Sequence, residues 1–125
     1  SKNISKTIKE VKENWVNEQD KNLRDLGCRT TNEAIQYVLD HNFTSVNLAG
    51  FTVNDQNLKK LFTCKNLKKL SLDSILFSGD ALVEGLKKYS DLESLSLPSF
   101  DQANADLITK ILKDHKKSLK MVDLR

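Results

Sequence analysis

Arginine is nearly missing from this chain, with 3 residues against 17 lysines. Guanidinium forks are the usual readers of phosphates and base edges. Aromatic residues, the usual platforms for unpaired bases, make up only 6%. With little of either, the net charge of +3 does not by itself imply a nucleic-acid partner. The paired lysines at Lys59-Lys60, Lys68-Lys69, Lys87-Lys88 and Lys116-Lys117 read as solvated helix edges. Cysteine is scarce too. Cys28 and Cys64 stand alone, with no Cys-x-x-Cys pair, so structural zinc is not expected and a reducing compartment is. The 4 glycines are scattered singly, which leaves no glycine-rich phosphate loop. No stretch approaches the roughly 18 apolar residues of a membrane span. The first residues carry no secretory signal pattern. The expectation is a cytoplasmic protein with no membrane and no cofactor.

Signs of catalysis are equally sparse. His41 and His115 both fall near predicted helix C-termini, where a cation is favoured by the helix dipole. Neither has a serine or cysteine nucleophile at a recognisable spacing. Ser71, Ser74, Ser94 and Ser96 are numerous, but a serine without a base is not a nucleophile. No His-Glu-x-x-His motif or paired carboxylate occurs, so neither a bound metal nor an enzyme is expected.

What the chain does have is a recurring frame of apolar-x-x-apolar-x-apolar. It appears at Phe43–Leu48, Leu67–Leu72, Leu92–Leu97 and Leu119–Leu124. Three further columns stay apolar in every complete repeat: Phe51, Ile75 and Phe100; Leu58, Leu82 and Leu107; Phe62, Leu86 and Ile111. With 38% apolar residues overall, nine such matches are improbable by chance. The frame predicts short strands near residues 45–49, 69–73, 94–98 and 120–124. The fourth and sixth residues of each ladder point to the core and the third and fifth point out. Apolar residues four apart predict a helix after each strand, with Asn54, Ser78 and Asn104 as N-caps.

Residues 1–42 read as a cap on this array. Ile4, Ile8, Val11 and Trp15 form one face of an amphipathic helix that covers the first repeat. Leu23–Cys28 reads as a degenerate ladder, with Gly27 allowing close packing and Cys28 facing inward. A helix capped by Thr31 or Asn32 follows, to His41. Arg125 comes directly after a ladder with no polar capping repeat, so a continuation of the chain, a tail or a partner is expected to cover that edge. Residues 43–125 form the repeats proper, three full and a terminal strand, in one continuous domain with the cap.

The ladder and its 24- to 27-residue period resemble the leucine-rich repeat family, in its longer, ribonuclease-inhibitor-like class. That resemblance implies a right-handed α/β solenoid with parallel strands on a concave face and helices on the convex one. The chain departs from it where family members carry a polar residue and this one has Phe51, Ile75 and Phe100, so loop carbonyls need other donors. The Lys- and Asn-rich style is similar to small leucine-rich-repeat effectors that intracellular bacterial pathogens deliver to the host cytosol.

The resemblance implies a protein-interaction module whose concave face holds a partner, with an enzyme blocked by that face as one form of it. An assembly or accessory subunit of a larger complex is the second reading, similar to the small leucine-rich-repeat coupling factor of mitochondrial ATP synthase. A ubiquitin-ligase adaptor is a third, but residues 1–42 lack a ligase-binding segment. On the ladder frame, the outward residues are Ser45, Lys69, Ser94 and Met121, then Asn47, Ser71, Ser96 and Asp123, then Ala49, Asp73, Pro98 and Arg125. Small residues in the middle let a partner approach, and Lys69, Asp73, Asp123 and Arg125 supply charge. Thr52, Leu76 and Asp101 are expected in loops above the strands, with Leu76 as the apolar anchor.

Overall fold

A computed structural model describes residue 19 and residues 21–76, 78–98 and 105–124 of the chain. Helices and strands alternate. Helix α1 (Thr31–Asp40) is followed by β1 (Ser45–Asn54), α2 (Asp55–Leu61), β2 (Lys69–Leu76), α3 (Gly79–Leu86), β3 (Ser94–Leu97), α4 (Ala105–Asp114) and β4 (Met121–Leu124). The strands form one parallel sheet in the order β1-β2-β3-β4, so each helix is the crossover between neighbouring strands.

The repeat columns are the paired positions of the sheet. Ser45 stands opposite Lys69, Lys69 opposite Ser94, and Ser94 opposite Met121. One residue on, Val46, Leu70, Leu95 and Val122 line up in the same way. The entry to each strand repeats as well. The Thr44 carbonyl accepts from the N–H groups of Lys68 (2.8 Å) and Lys69 (3.1 Å), that of Lys68 from Glu93 (2.7 Å) and Ser94 (3.1 Å), and that of Glu93 from Lys120 (2.7 Å) and Met121 (3.1 Å). At β1, where no earlier ladder precedes, a side chain takes the carbonyl's place. The Gln19 Oε1 accepts from the N–H of Thr44 at 2.9 Å and of Ser45 at 3.3 Å.

Val46, Leu48, Leu70, Leu72, Leu95 and Leu97 are buried on one side of the sheet. Against them lie the apolar faces of the helices: Ala34, Ile35 and Val38; Leu58 and Leu61; Leu82, Val83 and Leu86; Leu107 and Ile111. Neighbouring helices also pack on each other. Gly85 of α3 is needed for this, because a Cβ there would collide with the Phe62 ring at the end of α2.

Side chains tie one repeat to the next at both ends of the strands. Asn54 caps α2 in a reciprocal box with Asn57, and the buried Asn57 also donates from Nδ2 to Asn32 Oδ1 at 2.9 Å. Ser78 caps α3, and its N–H donates to Asp55 Oδ1 at 3.0 Å. At the helix-to-strand turns, Cys64 Sγ donates to the Phe43 carbonyl (3.3 Å), Tyr89 Oη to that of Cys64 (2.7 Å), and Ser118 Oγ to that of Leu92 (2.7 Å).

The structure departs from the sequence-based expectations in several places, among them Leu124, a sixth ladder residue that is exposed at the last strand rather than buried in the core. Leu23–Cys28 is a run of turns rather than a ladder, because its donors are used locally: the N–H groups of Leu26, Gly27 and Cys28 bond to the carbonyls of Asn22, Arg24 and Leu23. Gly27 serves there through its φ of 96° rather than through close packing, since nothing lies within 4 Å of a Cβ built on it. The cap of α1 is Thr30, whose side chain accepts from the Glu33 N–H at 3.1 Å. Thr52 and Leu76 lie within β1 and β2, which run on past the ladder through a register shift between Leu48 and Thr52. The expected helix over Ile4 to Trp15, the expected Asn104 cap, Phe100, Asp101, Arg125 and the Ile75 side chain lie outside the described residues.

Candidate functional site

The register builds the expected surface from the residues upward. Ser45, Lys69, Ser94 and Met121 form one row across the sheet, and Asn47, Ser71, Ser96 and Asp123 form the next. The helices pack on the opposite face, so these rows remain outside. Lys69, Met121 and Asp123 are exposed, and Asn47, Ser71 and Ser94 are half-buried. Asp73 follows on β2 and is exposed as well.

Two of these polar side chains serve the backbone. Asn47 Oδ1 accepts from the Ala49 N–H at 3.0 Å, and Asp73 Oδ2 accepts from the Gly50 N–H at 3.3 Å. Both bonds hold the bent segment where β1 shifts register. Ser96 departs from its expected exposure. It is only 7% exposed, and its Oγ has no hydrogen-bond partner. Its partners across the row are Ser71 and Asp123. Leu76 is the most exposed large apolar residue among the described ones, at 73%. It stands past the register shift, opposite Asn54 and two residues beyond Ser74, and so lies beyond the stretch that carries Lys69 and Ser71.

The carbonyls that lack a polar ladder find donors that the repeat pattern does not reveal. Arg24 reaches the Gly50 carbonyl with Nη2 at 2.6 Å and Nε at 3.3 Å, and its guanidinium lies 4.3 Å from the centre of the Phe51 ring. Thr31 Oγ1 donates to the Thr52 carbonyl at 2.7 Å. Arg24 and Gln19 were missed by sequence reasoning because they precede the repeats and follow no column. For Arg24 the one available signal was the rarity of arginine itself.

The buried and titratable groups are held by packing. Burial pushes the Cys28 thiol up, and the Glu33 carboxylate adds to it. Burial also raises the Cys64 thiol, opposed by the Asn66 backbone N–H and the Lys88 charge. Both thiols are therefore protonated at neutral pH, and they are free rather than bridged. The His41 ring stacks on Tyr37 at 4.0 Å, with Nδ1 2.9 Å from the Tyr37 carbonyl oxygen. His115 is buried where α4 ends. Among the described residues, no three His, Cys, Asp or Glu side chains gather as metal ligands, and no helix is long and apolar enough to cross a membrane. Two clefts open at the helix-to-strand turns. One of about 250 Å³ lies between Leu39, Asn42, Phe43, Thr63 and Cys64, and one of about 100 Å³ between Lys65, Lys68, Lys88, Tyr89, Ser90 and Asp91.

Set against protein-family models, curated proteins and solved structures, the chain matches none of them.

Proposed function

We propose that this chain is a short leucine-rich-repeat solenoid, not an enzyme, that holds a partner protein against the outer face of its sheet. The observation that carries the reading is the register. It sets two rows of mostly short polar side chains side by side on a face that no described helix covers, with Lys69, Met121 and Asp123 projecting from it. Short side chains let a partner's backbone come close, and Met121 offers an adaptable apolar contact. Leu76, past the bend of the strands, supplies a second apolar contact for a partner large enough to reach it. Asp73 is better read as support, since its carboxylate holds the Gly50 N–H.

The test is affinity capture with three proteins: the wild type, a face variant carrying Lys69→Glu and Met121→Lys, and a helix variant carrying Lys59→Glu and Lys110→Glu. A partner that saturates the wild type should be lost by the face variant and kept by the helix variant. Loss only with the helix variant would place the partner on the helices and sink the reading.

A further inference from the structure

Charge is sorted between the two ends of the strands. At the strand-to-helix end stand Asp55, Asp73, Asp80 and Asp106, with Arg24 and Arg29 as cations beside the first helix and β1. At the helix-to-strand end stand seven exposed lysines: Lys65 and Lys68 before β2, Lys87 and Lys88 before β3, and Lys116, Lys117 and Lys120 before β4. Against them stand Asp91 and the half-buried Glu93 in the same turns and Asp114 at the end of α4, near Lys87.

Helix dipoles account for only part of this pattern. They favour acids in first turns, as with Asp55, Asp80 and Asp106, and bases in last turns, as with Lys59, Lys60 and Lys113. The effect fades within a turn of the helix end. Lys65 and Lys68 stand beyond α2, which ends at Leu61, and Lys120 stands beyond α4, which ends at Asp114. The lysines are not paired off either. Lys87 forms a 2.8 Å ion pair with Glu84, and none of the other six lysines forms a salt bridge with a described residue. With strands about 4.8 Å apart, three successive turns fall within roughly 10 Å. That is close to the Debye length at physiological salt, so the charges repel and their field adds.

We infer that this basic edge is a docking surface for an acidic protein segment rich in Asp and Glu. It is separate from the outer sheet face and stands whether or not that face binds a partner. The 100 Å³ cleft gives the edge a focus, since Lys65, Lys68 and Lys88 line it beside Asn66 and Ser90, with Asp91 the single carboxylate on its wall. Lys88 lies over the Tyr89 ring, Nζ 5.2 Å from its centre. A protein segment fits this edge better than nucleic acid does. All seven cations are lysines, and Tyr89 is 4% exposed, so neither guanidinium forks nor stacking faces are offered. A bilayer fits less well too. None of the exposed large apolar side chains lies in these turns, so nothing there inserts among acyl chains.

The probe is poly-L-glutamate of about 50 residues, titrated into the intact chain at low salt. Saturable binding is expected, weakening about tenfold or more as salt is raised several-fold above the physiological range, as for exposed charges that salt screens. Lys65→Ser, Lys68→Ser and Lys88→Ser together should weaken it about tenfold, whereas Lys59→Ser, Lys60→Ser and Lys110→Ser together, with the same loss of charge, should change it less than about twofold. Equal losses in the two triple variants, no binding by the wild type, or tighter binding to single-stranded RNA or to vesicles containing phosphatidylserine would each overturn the inference. Amide-shift mapping of the wild type with the same probe needs no variant. Shifts should centre on residues 63–68, 87–93 and 115–120. Shifts centred on Ser45, Lys69 and Ser94 would overturn the basic edge and favour the sheet face.

Discussion

The guanidinium of Arg24 closes on the carbonyl oxygen of Gly50 from 26 residues away, with Nη2 at 2.6 Å and Nε at 3.3 Å. The other side of the same residue is held too, because the Gly50 N–H donates to Asp73. Gly50 has a φ of 83°, a conformation that side-chain-bearing residues avoid. It sits in the segment where β1 changes register against β2. The bend that carries the strand from its ladder to Thr52 and Val53 is thus fixed from the turn before it and from the strand after it.

Arg24→Ala should therefore destabilise the chain by about 1–2 kcal/mol, the range for a partly exposed hydrogen bond from a charged donor. Arg24→Lys should recover less than half, because an ammonium cannot offer the Gly50 carbonyl two donors in one plane. Urea unfolding of the three proteins checks both figures. Full rescue by lysine would show that charge alone matters at this position.

The ladders were legible because a parallel strand with one buried face must alternate, and because stacked repeats must agree in register. Val46, Leu70 and Leu95 could be placed opposite one another from spacing alone. What the sequence hid was polar and local. The side chain of Gln19 imitates a backbone carbonyl, a role that several other residue types could fill and that no periodicity marks. Leu23–Cys28 fits the ladder frame, yet it folds as turns because a six-residue pattern does not reveal that its donors bond locally. Of the proposed binding face, the positions were readable, but the burial of Ser96 and the backbone duties of Asn47 and Asp73 depend on neighbours in space.

Gln19→Ala should expose the entry of β1. Its amide oxygen accepts from the Thr44 and Ser45 N–H groups, as backbone carbonyls do at the later strands. Losing it should cost about 1–2 kcal/mol and speed hydrogen exchange at those two amides. Gln19→Glu keeps an acceptor and should retain most of the protection. Unchanged exchange at Thr44 in the alanine variant would contradict the capping role.

Gly85→Ala would add a favourable helix residue by propensity alone, yet it should destabilise the chain. The new methyl meets the Phe62 ring at the packed contact between α2 and α3. Overpacking of this kind costs about 1–3 kcal/mol, more than the roughly 1 kcal/mol gained by replacing glycine in a helix. Phe62→Leu should relieve the clash in the double variant. A double-mutant cycle on melting temperature that shows simple additivity would mean the two positions do not share that space.

Ser96→Ala tests the buried hydroxyl from the opposite direction. An unpaired Oγ contributes a desolvation cost and no bond, so its removal should be neutral or stabilising by about 1 kcal/mol. A loss of more than that in chemical denaturation would show that the hydroxyl has a partner.

Tyr89 gives the fold an alkaline limit. Its hydroxyl donates to the Cys64 carbonyl at 2.7 Å, and burial, with the Cys64 thiol beside it, pushes its pKa well above the phenol's ordinary 10.0. Burial pushes the Cys64 thiol up as well, from an ordinary 9.0. Above those ordinary values the unfolded chain releases protons that the folded chain keeps. The folded state then binds more protons, so stability falls as pH rises. The contribution of both groups is complete below about pH 8 and declines from about pH 9 upward, the thiol first and the phenol next. Tyr89→Phe should cost about 1–3 kcal/mol at pH 7 by leaving the buried carbonyl of Cys64 without its donor. The same change should flatten the decline between about pH 10 and 11, since the group that loses its proton there is gone. Urea midpoints of the wild type and Tyr89→Phe across pH 7–11 separate the two effects. Parallel curves throughout that range would show that the phenol does not set the alkaline limit.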